Sequence, residues 1–305
     1  MYQQNNFFLF ADDTNIYFEA KNINDMEKII NKELKNMYLW LNLNRLSLNI
    51  AKTNFVVFHP FNKPLKTSLT IKINTKAIEQ KDYIKYLGVI IDSTLSWKQQ
   101  VMNVAKKVSR AIGIMYKLRP FVNIDILKNI YYSLVYSHLV YGIHVWGTAC
   151  DTELNKILIL QKRIVRLITF NDQLPINAGP LIHSDPLFAK LAFLKIKDIF
   201  ILLIVKFIFI CLHLNIPANF MSWFKLNSFI HNYGTRSNFY DIDNMINSNN
   251  LFITFARTSH HGLKLIKVLG PKIWNKLPKD LRKLDSLNLF SKHIKYHLIS
   301  QYTVL

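Results

Sequence analysis

The chain has 305 residues, of which 50% are hydrophobic and 13% aromatic. This composition excludes a wholly disordered protein, and the length allows two domains with separate cores. Lysine and arginine exceed aspartate and glutamate by 39 − 19 = 20. A basic excess of this size favours a polyanionic partner, with nucleic acid first and an anionic membrane surface second.

The cysteines and the first residues of the chain indicate where in the cell the protein is located. Cys150 and Cys211 form no Cys-x-x-Cys pair, so neither a zinc knuckle nor a disulfide framework is indicated. The first residues lack the basic start, apolar run and cleavage site of a signal peptide. We therefore expect an intracellular protein, in the nucleus or the cytoplasm, that does not enter a membrane.

The first predicted element is a β-hairpin over residues 7–18. Two apolar runs flank the polar turn Ala11-Asp12-Asp13-Thr14, and aromatic and β-branched residues favour strands. A turn brings Asp12 and Asp13 to one tip, whereas adjacent strand residues point to opposite faces. Two carboxylates there suit Mg²⁺, which takes few hard oxygen ligands from protein. A solvated Asp-Asp turn is the alternative, but the basic context favours a nucleotidyl-transfer site.

This hairpin carries a family resemblance. The sequence Phe10-Ala11-Asp12-Asp13 resembles the Phe/Tyr-Ala-Asp-Asp box of reverse transcriptases, and the motifs that follow fit the non-LTR retrotransposon branch. The resemblance implies that Asp12 and Asp13 are catalytic, with Asp12 the direct metal ligand and Asp13 a weaker or indirect one. It implies Mg²⁺ or Mn²⁺ as the cofactor of an active enzyme. The implied partners are an RNA template, a DNA primer and, in an active enzyme, deoxynucleotides.

A helix with one apolar face is predicted over residues 23–43, where it would cover the sheet. A strand over residues 54–58 follows. Before that strand, the pattern Leu-Asn-x-x-Lys-Thr at 48–53 resembles the element that follows the Asp-Asp hairpin in these polymerases. There a lysine lies near the phosphates of the incoming nucleotide, so Lys52 is the candidate. A solvated turn lysine is the alternative.

Residues 69–73 alternate like a half-buried strand, and residues 83–97 carry the second resemblance. The motif Lys-Tyr-Leu-Gly-Val, followed by Asp and then Leu-x-Trp, is similar to the reverse-transcriptase hairpin that holds the end of the primer. Lys85, Leu87 and Gly88 are therefore candidate primer or template contacts. A glycine within a strand predicts a bulge or a close backbone approach.

Three helices are predicted over residues 98–118, 125–141 and 152–169. They resemble a polymerase thumb that grips a duplex through its phosphates, contacts that are independent of sequence and sensitive to salt. A solvated helix face is the alternative for each basic stripe. The aromatic-glycine box at 141–147 is interpreted as packing. The candidate nucleic-acid contacts on the first helix are Lys106, Lys107 and Arg110.

The C-terminal region offers no chemical motif. Prolines and a glycine within residues 172–186 predict a loop and a domain boundary. The apolar run at 199–214 is predicted to be a buried helix, because a membrane span needs about 20 apolar residues. The sequences at 233–236 and 270–278 resemble C-terminal boxes of non-LTR retrotransposon polyproteins, with Trp274 as the expected core residue.

These elements predict an α+β fold. We expect a partial polymerase palm of antiparallel hairpins and a covering helix at 1–95, a helical thumb-like region at 96–171, and a mostly helical region of unknown role at 172–305. Because little sequence precedes the first hairpin, we expect a truncated reverse transcriptase whose two-metal site is incomplete and inactive alone. The alternatives are a non-catalytic nucleic-acid-binding remnant and a membrane-associated protein. Protein partners are unknown.

Overall fold

The structure is a computed structural model. It describes residues 6–11, 13–20, 22–63, 69–169, 183–213, 217–227, 250–258 and 261–302. The chain forms two compact units, unit 1 at residues 1–96 and unit 2 at residues 97–305. The structure is 58% helical with small sheets, which confirms the α+β class. The boundary expected at 171/172 stays a prediction, and most of that loop and the box at 233–236 lie outside the described residues.

The strands of unit 1 are short and pair two by two. Three pairs are antiparallel: β1 (Asn6–Phe10) with β2 (Asp13–Tyr17), β4 (Lys72–Ile73) with β5 (Lys76–Ala77), and β7 (Tyr83–Tyr86) with β8 (Val89–Asp92). The fourth pair, β3 (Asn54–Phe55) with β6 (Glu79–Gln80), is parallel, contrary to the expectation of antiparallel hairpins alone. The predicted strands at 54–58 and 69–73 are shorter in the structure.

Helix α1 (Ile23–Leu43) begins and ends where its apolar periodicity predicts. Its buried residues Ile30 and Leu34 pack with four other side chains into the core of unit 1, namely Leu69, Ile71, Ile73 and Ile78. The Asn31 side chain donates to the Thr70 carbonyl at 3.1 Å and accepts from the Lys72 amide at 2.8 Å. The helix therefore satisfies backbone groups at the edge of β4 that would otherwise need a neighbouring strand.

Unit 2 is helical. Its first part contains α2 (Lys98–Leu118), α3 (Ile124–Ile130), a π-helix (Tyr131–Tyr136), α4 (Ser137–Val140), α5 (Ile143–Trp146) and α6 (Asp151–Ile168). The predicted helix at 125–141 is thus one helical segment whose middle is widened into a π-helix. Helix α2 packs against α6 through its buried face, formed by Val101, Val104, Val108, Ala111 and Met115.

The second part of unit 2 contains α7 (Ser184–Leu191), α8 (Ile196–His213), α9 (Ala218–Met221), α10 (Ile266–Asn275), α11 (Lys279–Arg282) and α12 (Leu287–Ser300). Helix α8 packs against α4, α5, α6, α10 and α12. The prediction of a buried helix is confirmed for residues 199–213. In the described part of the chain, no helix combines the length and the hydropathy needed to cross a bilayer.

The C-terminal box is also built around packing. Trp274 is only 1% exposed, as predicted for a core residue. Pro271 lies inside α10, where it is buried, and the helix begins before it, at Ile266.

Candidate nucleic-acid interface

The acidic hairpin is tighter than the sequence predicts. Phe10 pairs with Asp13 and Leu9 with Thr14, so only residues 11 and 12 lie between the strands. Asp13 is exposed at the first position of β2, and Ala11 has a left-handed φ of 51°. Asp12 lies outside the described residues. The prediction of a four-residue turn at 11–14 is therefore wrong in one respect, because Asp13 and Thr14 belong to β2.

Strand β1 presents an apolar surface. Phe7, Phe8, Leu9 and Phe10 are each more than half exposed, although they alternate between the two faces of the strand. Large apolar side chains exposed on both faces of a strand are typical of an interface with another protein segment. The hairpin is anchored through its other strand, because Ile16 packs against the core of unit 1.

Two of the predicted site elements are linked within unit 1. The Tyr17 ring at the end of β2 stacks on Phe58, with ring centroids 6.3 Å apart. The next residue, His59, donates its backbone N–H to the Ser93 carbonyl just after β8, at 3.1 Å. The segment 58–59 thus joins the acidic hairpin to the β7–β8 hairpin.

Lys52 lies in a single 3-10 turn, Ile50–Lys52, and its side chain is exposed. Asn49 builds this turn: its Oδ1 accepts from the Lys52 amide at 3.2 Å, and its carbonyl accepts from Thr53 Oγ1 at 3.0 Å. The Leu-Asn-x-x-Lys-Thr pattern therefore has a local explanation, since Asn caps the turn that presents the lysine. The sequence pattern alone does not predict this role of Asn49.

Leu87 and Gly88 form the turn of the β7–β8 hairpin, and Tyr86 pairs with Val89 across it. Both have left-handed φ angles, 45° for Leu87 and 83° for Gly88. A two-residue turn of this hand matches the twist of the strands, which is why glycine is favoured there. The sequence predicts that Gly88 lies within a strand. In the structure it lies in the turn between β7 and β8. Lys85 and Leu87 are exposed, and a leucine with this φ costs about 1–2 kcal/mol.

Asp92 organises the chain after this hairpin. Its carboxylate is buried, and Oδ1 accepts from the Thr94 amide at 3.2 Å, the Thr94 hydroxyl at 2.7 Å and the Ser96 amide at 2.9 Å. These bonds fold residues 93–96 into a turn. The aspartate of the second motif therefore has a structural role, a role that the pattern alone did not reveal.

The predicted contacts Lys106, Lys107 and Arg110 are exposed on α2, away from the buried face of that helix. They lie within about one turn of each other along the helix. Burial and the positive charge of Lys107 together lower the pKa of His138 on α4. The three cations therefore form an exposed basic patch, here called the α2 patch.

A metal at the acidic hairpin is compatible with the residue that the structure describes there. Mg²⁺ keeps several waters and is held by one or two carboxylates, which an exposed side chain such as Asp13 can supply. Across the described ranges, no three His, Cys, Asp or Glu side chains come together as a preformed cage.

Sequence comparisons identify relatives of the chain. It is 25% identical over 163 residues to the probable RNA-directed DNA polymerase from transposon X-element of Drosophila melanogaster. It is 26% and 27% identical over 163 residues to the RNA-directed DNA polymerases from mobile element jockey of Drosophila melanogaster and Drosophila funebris. Each alignment covers 52% of this chain. The chain is a relative of the non-LTR retrotransposon reverse transcriptases.

The reverse-transcriptase resemblance indicated by the motifs is thus confirmed. The chain spans 18% of the length of the curated reverse transcriptases that it matches. No protein-family model and no solved structure matches it.

Proposed function

We propose that the chain is a part of a reverse transcriptase that holds an RNA template and a DNA primer. The observation that carries this proposal is its similarity to RNA-directed DNA polymerases of transposon X-element and mobile element jockey. The two motifs that prompted the resemblance lie in unit 1 and are joined through residues 58–59.

The proposal assigns residues 1–95 to the late part of a polymerase palm and 96–171 to a thumb, with 172–305 supporting the thumb. Helix α1 covers the short sheets as a palm helix would, and α2 packs on α6 as neighbouring thumb helices would. The apolar surface of β1 supports this assignment, because a palm hairpin needs further protein to cover it.

Each candidate residue then has a role. Asp12 and Asp13 would hold Mg²⁺ or Mn²⁺, which supplies the positive charge that phosphoryl transfer requires. Lys52 would contact the phosphates of the deoxynucleotide. Lys85, with the Leu87-Gly88 turn, would contact the primer end. The α2 patch would contact the phosphates of the duplex.

We further propose that the 305-residue chain binds nucleic acid without extending a primer. Two catalytic metal ions lie about 3.5–4 Å apart, and holding both calls for carboxylates from more than one hairpin tip. The net charge of +20 and the exposed α2 patch support binding to nucleic acid even if the chain does not synthesise DNA.

The test of the binding proposal is the salt dependence of affinity for an RNA–DNA duplex. Neutralising Lys106, Lys107 and Arg110 to glutamine should reduce the slope of log K against log salt by roughly 2–3, about 0.9 for each phosphate contact that is lost. A matched control neutralises three exposed lysines elsewhere in unit 2, Lys276, Lys283 and Lys292, and should leave the slope unchanged.

Either of two outcomes contradicts the binding proposal. If the affinity does not change with salt concentration, the chain makes no phosphate contacts that release counterions. An equal loss in both triple variants shows that the whole charge acts and that the α2 patch has no particular role. Primer extension by the purified chain, abolished by Asp12→Asn, would overturn the proposal of binding without synthesis.

A further inference from the structure

A small cavity opens in unit 2 between the π-helix and the segment that joins α7 to α8. Its volume is about 40 Å³, and it is lined by Tyr131, Tyr132, Tyr136, residues 192–194 and Lys295. This is larger than the space that one water needs, about 10–15 Å³. It is far smaller than a cofactor site, typically about 300–1,000 Å³. The cavity therefore suits the edge of one planar ring.

Aromatic rings form most of the wall. Tyr131 stacks on Phe193 with centroids 3.9 Å apart, and both are buried. Tyr132 stands edge-on to Phe193 at 5.5 Å and to Tyr136 at 5.4 Å. Because 39% of Tyr132 is exposed, its ring is accessible from solvent while its inner edge stays fixed by its neighbours.

The backbone is unusual on one side of the cavity. The three tyrosines come from the six-residue π-helix Tyr131–Tyr136, a rare conformation that is frequent at functional sites. On the other side, Ala192 ends α7 with a left-handed φ of 55°, as helix C-caps commonly do. The π-helix and this helix end together position the tyrosines and Phe193 at the cavity.

The polar groups at the cavity are donors. Lys295 Nζ lies 3.4 Å from the Tyr132 hydroxyl and 5.9 Å from the centroid of its ring. Burial, followed by the neighbouring Tyr132, raises the pKa of Tyr136. An ammonium and phenol hydroxyls suit phosphate oxygens, and aromatic rings suit a nucleobase.

We propose that one unpaired nucleotide of a nucleic-acid strand binds at the mouth of this cavity, with the edge of its base against Tyr132 and Tyr136 and its phosphate on Lys295. The proposal rests on the nucleic-acid binding proposed above. It adds a preference for unpaired bases, which the α2 patch alone does not provide because phosphate contacts do not distinguish paired from unpaired bases.

The first experiment maps the contact on the unaltered chain. A short single-stranded RNA that carries 5-iodouridine is bound and irradiated, and cross-linked peptides are identified by mass spectrometry. Cross-links are expected at Tyr132 or Tyr136. Cross-links confined to other parts of the chain would overturn the proposal.

The second experiment measures affinity. Tyr132→Ala should weaken binding of the single-stranded RNA roughly fivefold or more, as expected for the loss of one base–aromatic stack, and leave binding of a blunt duplex unchanged. Tyr116→Ala, at an exposed tyrosine of α2 outside the cavity, is the matched control and should change neither. Equal affinities of the Tyr132→Ala and unaltered chains for the RNA would overturn the proposal.

A third variant covers the case in which Tyr132→Ala disturbs the packing against Phe193. Lys295→Gln should reduce the salt slope for the single strand by about 0.7, the value for one phosphate contact, and Lys292→Gln on the same helix should not. An unchanged slope for Lys295→Gln would argue against the phosphate contact. If the chain binds a duplex but shows neither the cross-links nor the changes in single-strand binding, only the proposal about the cavity is refuted. If the chain binds no nucleic acid at all, the proposed function is refuted.

Discussion

Asp198 near the start of α8 belongs to a partly buried polar cluster. Tyr302 donates its hydroxyl to Asp198 Oδ2 and accepts from the Lys195 amide at 3.1 Å. Lys195 Nζ forms an ion pair with Asp185, at 2.7 Å. Burial is the main cause that raises the pKa of Asp198, opposed by the Tyr302 hydrogen bond and by the charges of Lys195 and Lys197.

This raised pKa gives a pH dependence of known sign. A carboxyl group with a higher pKa in the folded than in the unfolded chain binds more protons when folded, so its contribution to stability falls as the pH rises through that interval. Asparagine resembles the protonated form. The free energy of unfolding of Asp198→Asn should therefore increase relative to that of the unaltered chain as the pH rises above about 4, the ordinary pKa of aspartate. Urea unfolding of unit 2 across that range measures the difference.

The control for this measurement is Asp285→Asn, at an exposed aspartate outside the helices. Its difference from the unaltered chain should stay flat over the same range. A flat difference for Asp198→Asn would show that the pKa of Asp198 is the same in the folded and unfolded chains. A difference that shrinks as the pH rises would show that folding favours the charged form, and either outcome contradicts the prediction.

Residue roles were only partly predictable from the sequence. The motifs indicated Lys52 and Asp92 together with their neighbours, but not that Asn49 caps the lysine turn or that Asp92 ties down residues 93–96. A pattern shows which residues occur together; it does not separate a side chain that builds a turn from one that contacts a ligand. The roles of Asp13 and Lys85 remain proposals for the same reason.

At the scale of elements, the aromatic-glycine box shows how one glycine sets a helix contact. A Cβ at Gly147 would lie 2.3 Å from the Phe200 ring of α8 and 2.6 Å from the Ile143 carbonyl. The carbonyl is backbone and cannot turn away. Gly147→Ala should therefore lower the stability of unit 2 by about 1–3 kcal/mol or more, the cost of overpacking a core.

Gly113 provides the matched control, because a Cβ there would meet nothing within 4 Å. Gly113→Ala lies in the interior of α2 and should raise stability by roughly 0.5–1 kcal/mol. Thermal unfolding of both variants beside the unaltered chain gives the two signs. A Gly147→Ala chain as stable as the unaltered one would mean that α5 and α8 separate easily, which their burial does not suggest.

Long periodic helices were the most predictable elements. The spans of α1 and α2 match their predictions because each has a continuous apolar stripe that decides both length and face. The π-helix was not foreseen, because one wide turn leaves the apolar stripe almost unchanged. The parallel pairing of β3 with β6 was missed as well, since strands of two residues carry no periodic signal.

At the scale of the whole molecule, family and charge were readable from the sequence, whereas the division into two units depends on how much core each part builds. In the described part of unit 1, the buried apolar core is six side chains, from Ile30 to Ile78. In unit 2, several helices pack around α8, and many more apolar side chains are buried there than in the described part of unit 1. Stability follows buried apolar area, so the two units should differ in stability.

This difference predicts two unfolding transitions, with unit 1 unfolding first. Ile73 in unit 1 and Ile164 in unit 2 are both fully buried, so the same change to alanine should cost about 2–5 kcal/mol at either site. Ile73→Ala should move only the first transition and Ile164→Ala only the second. Hydrogen exchange by mass spectrometry at increasing urea concentrations reports each unit separately.

The control is Ile159→Ala, at an exposed isoleucine of α6, which should move neither transition. If both buried variants shift one common transition, the two cores unfold together and the chain is a single cooperative unit.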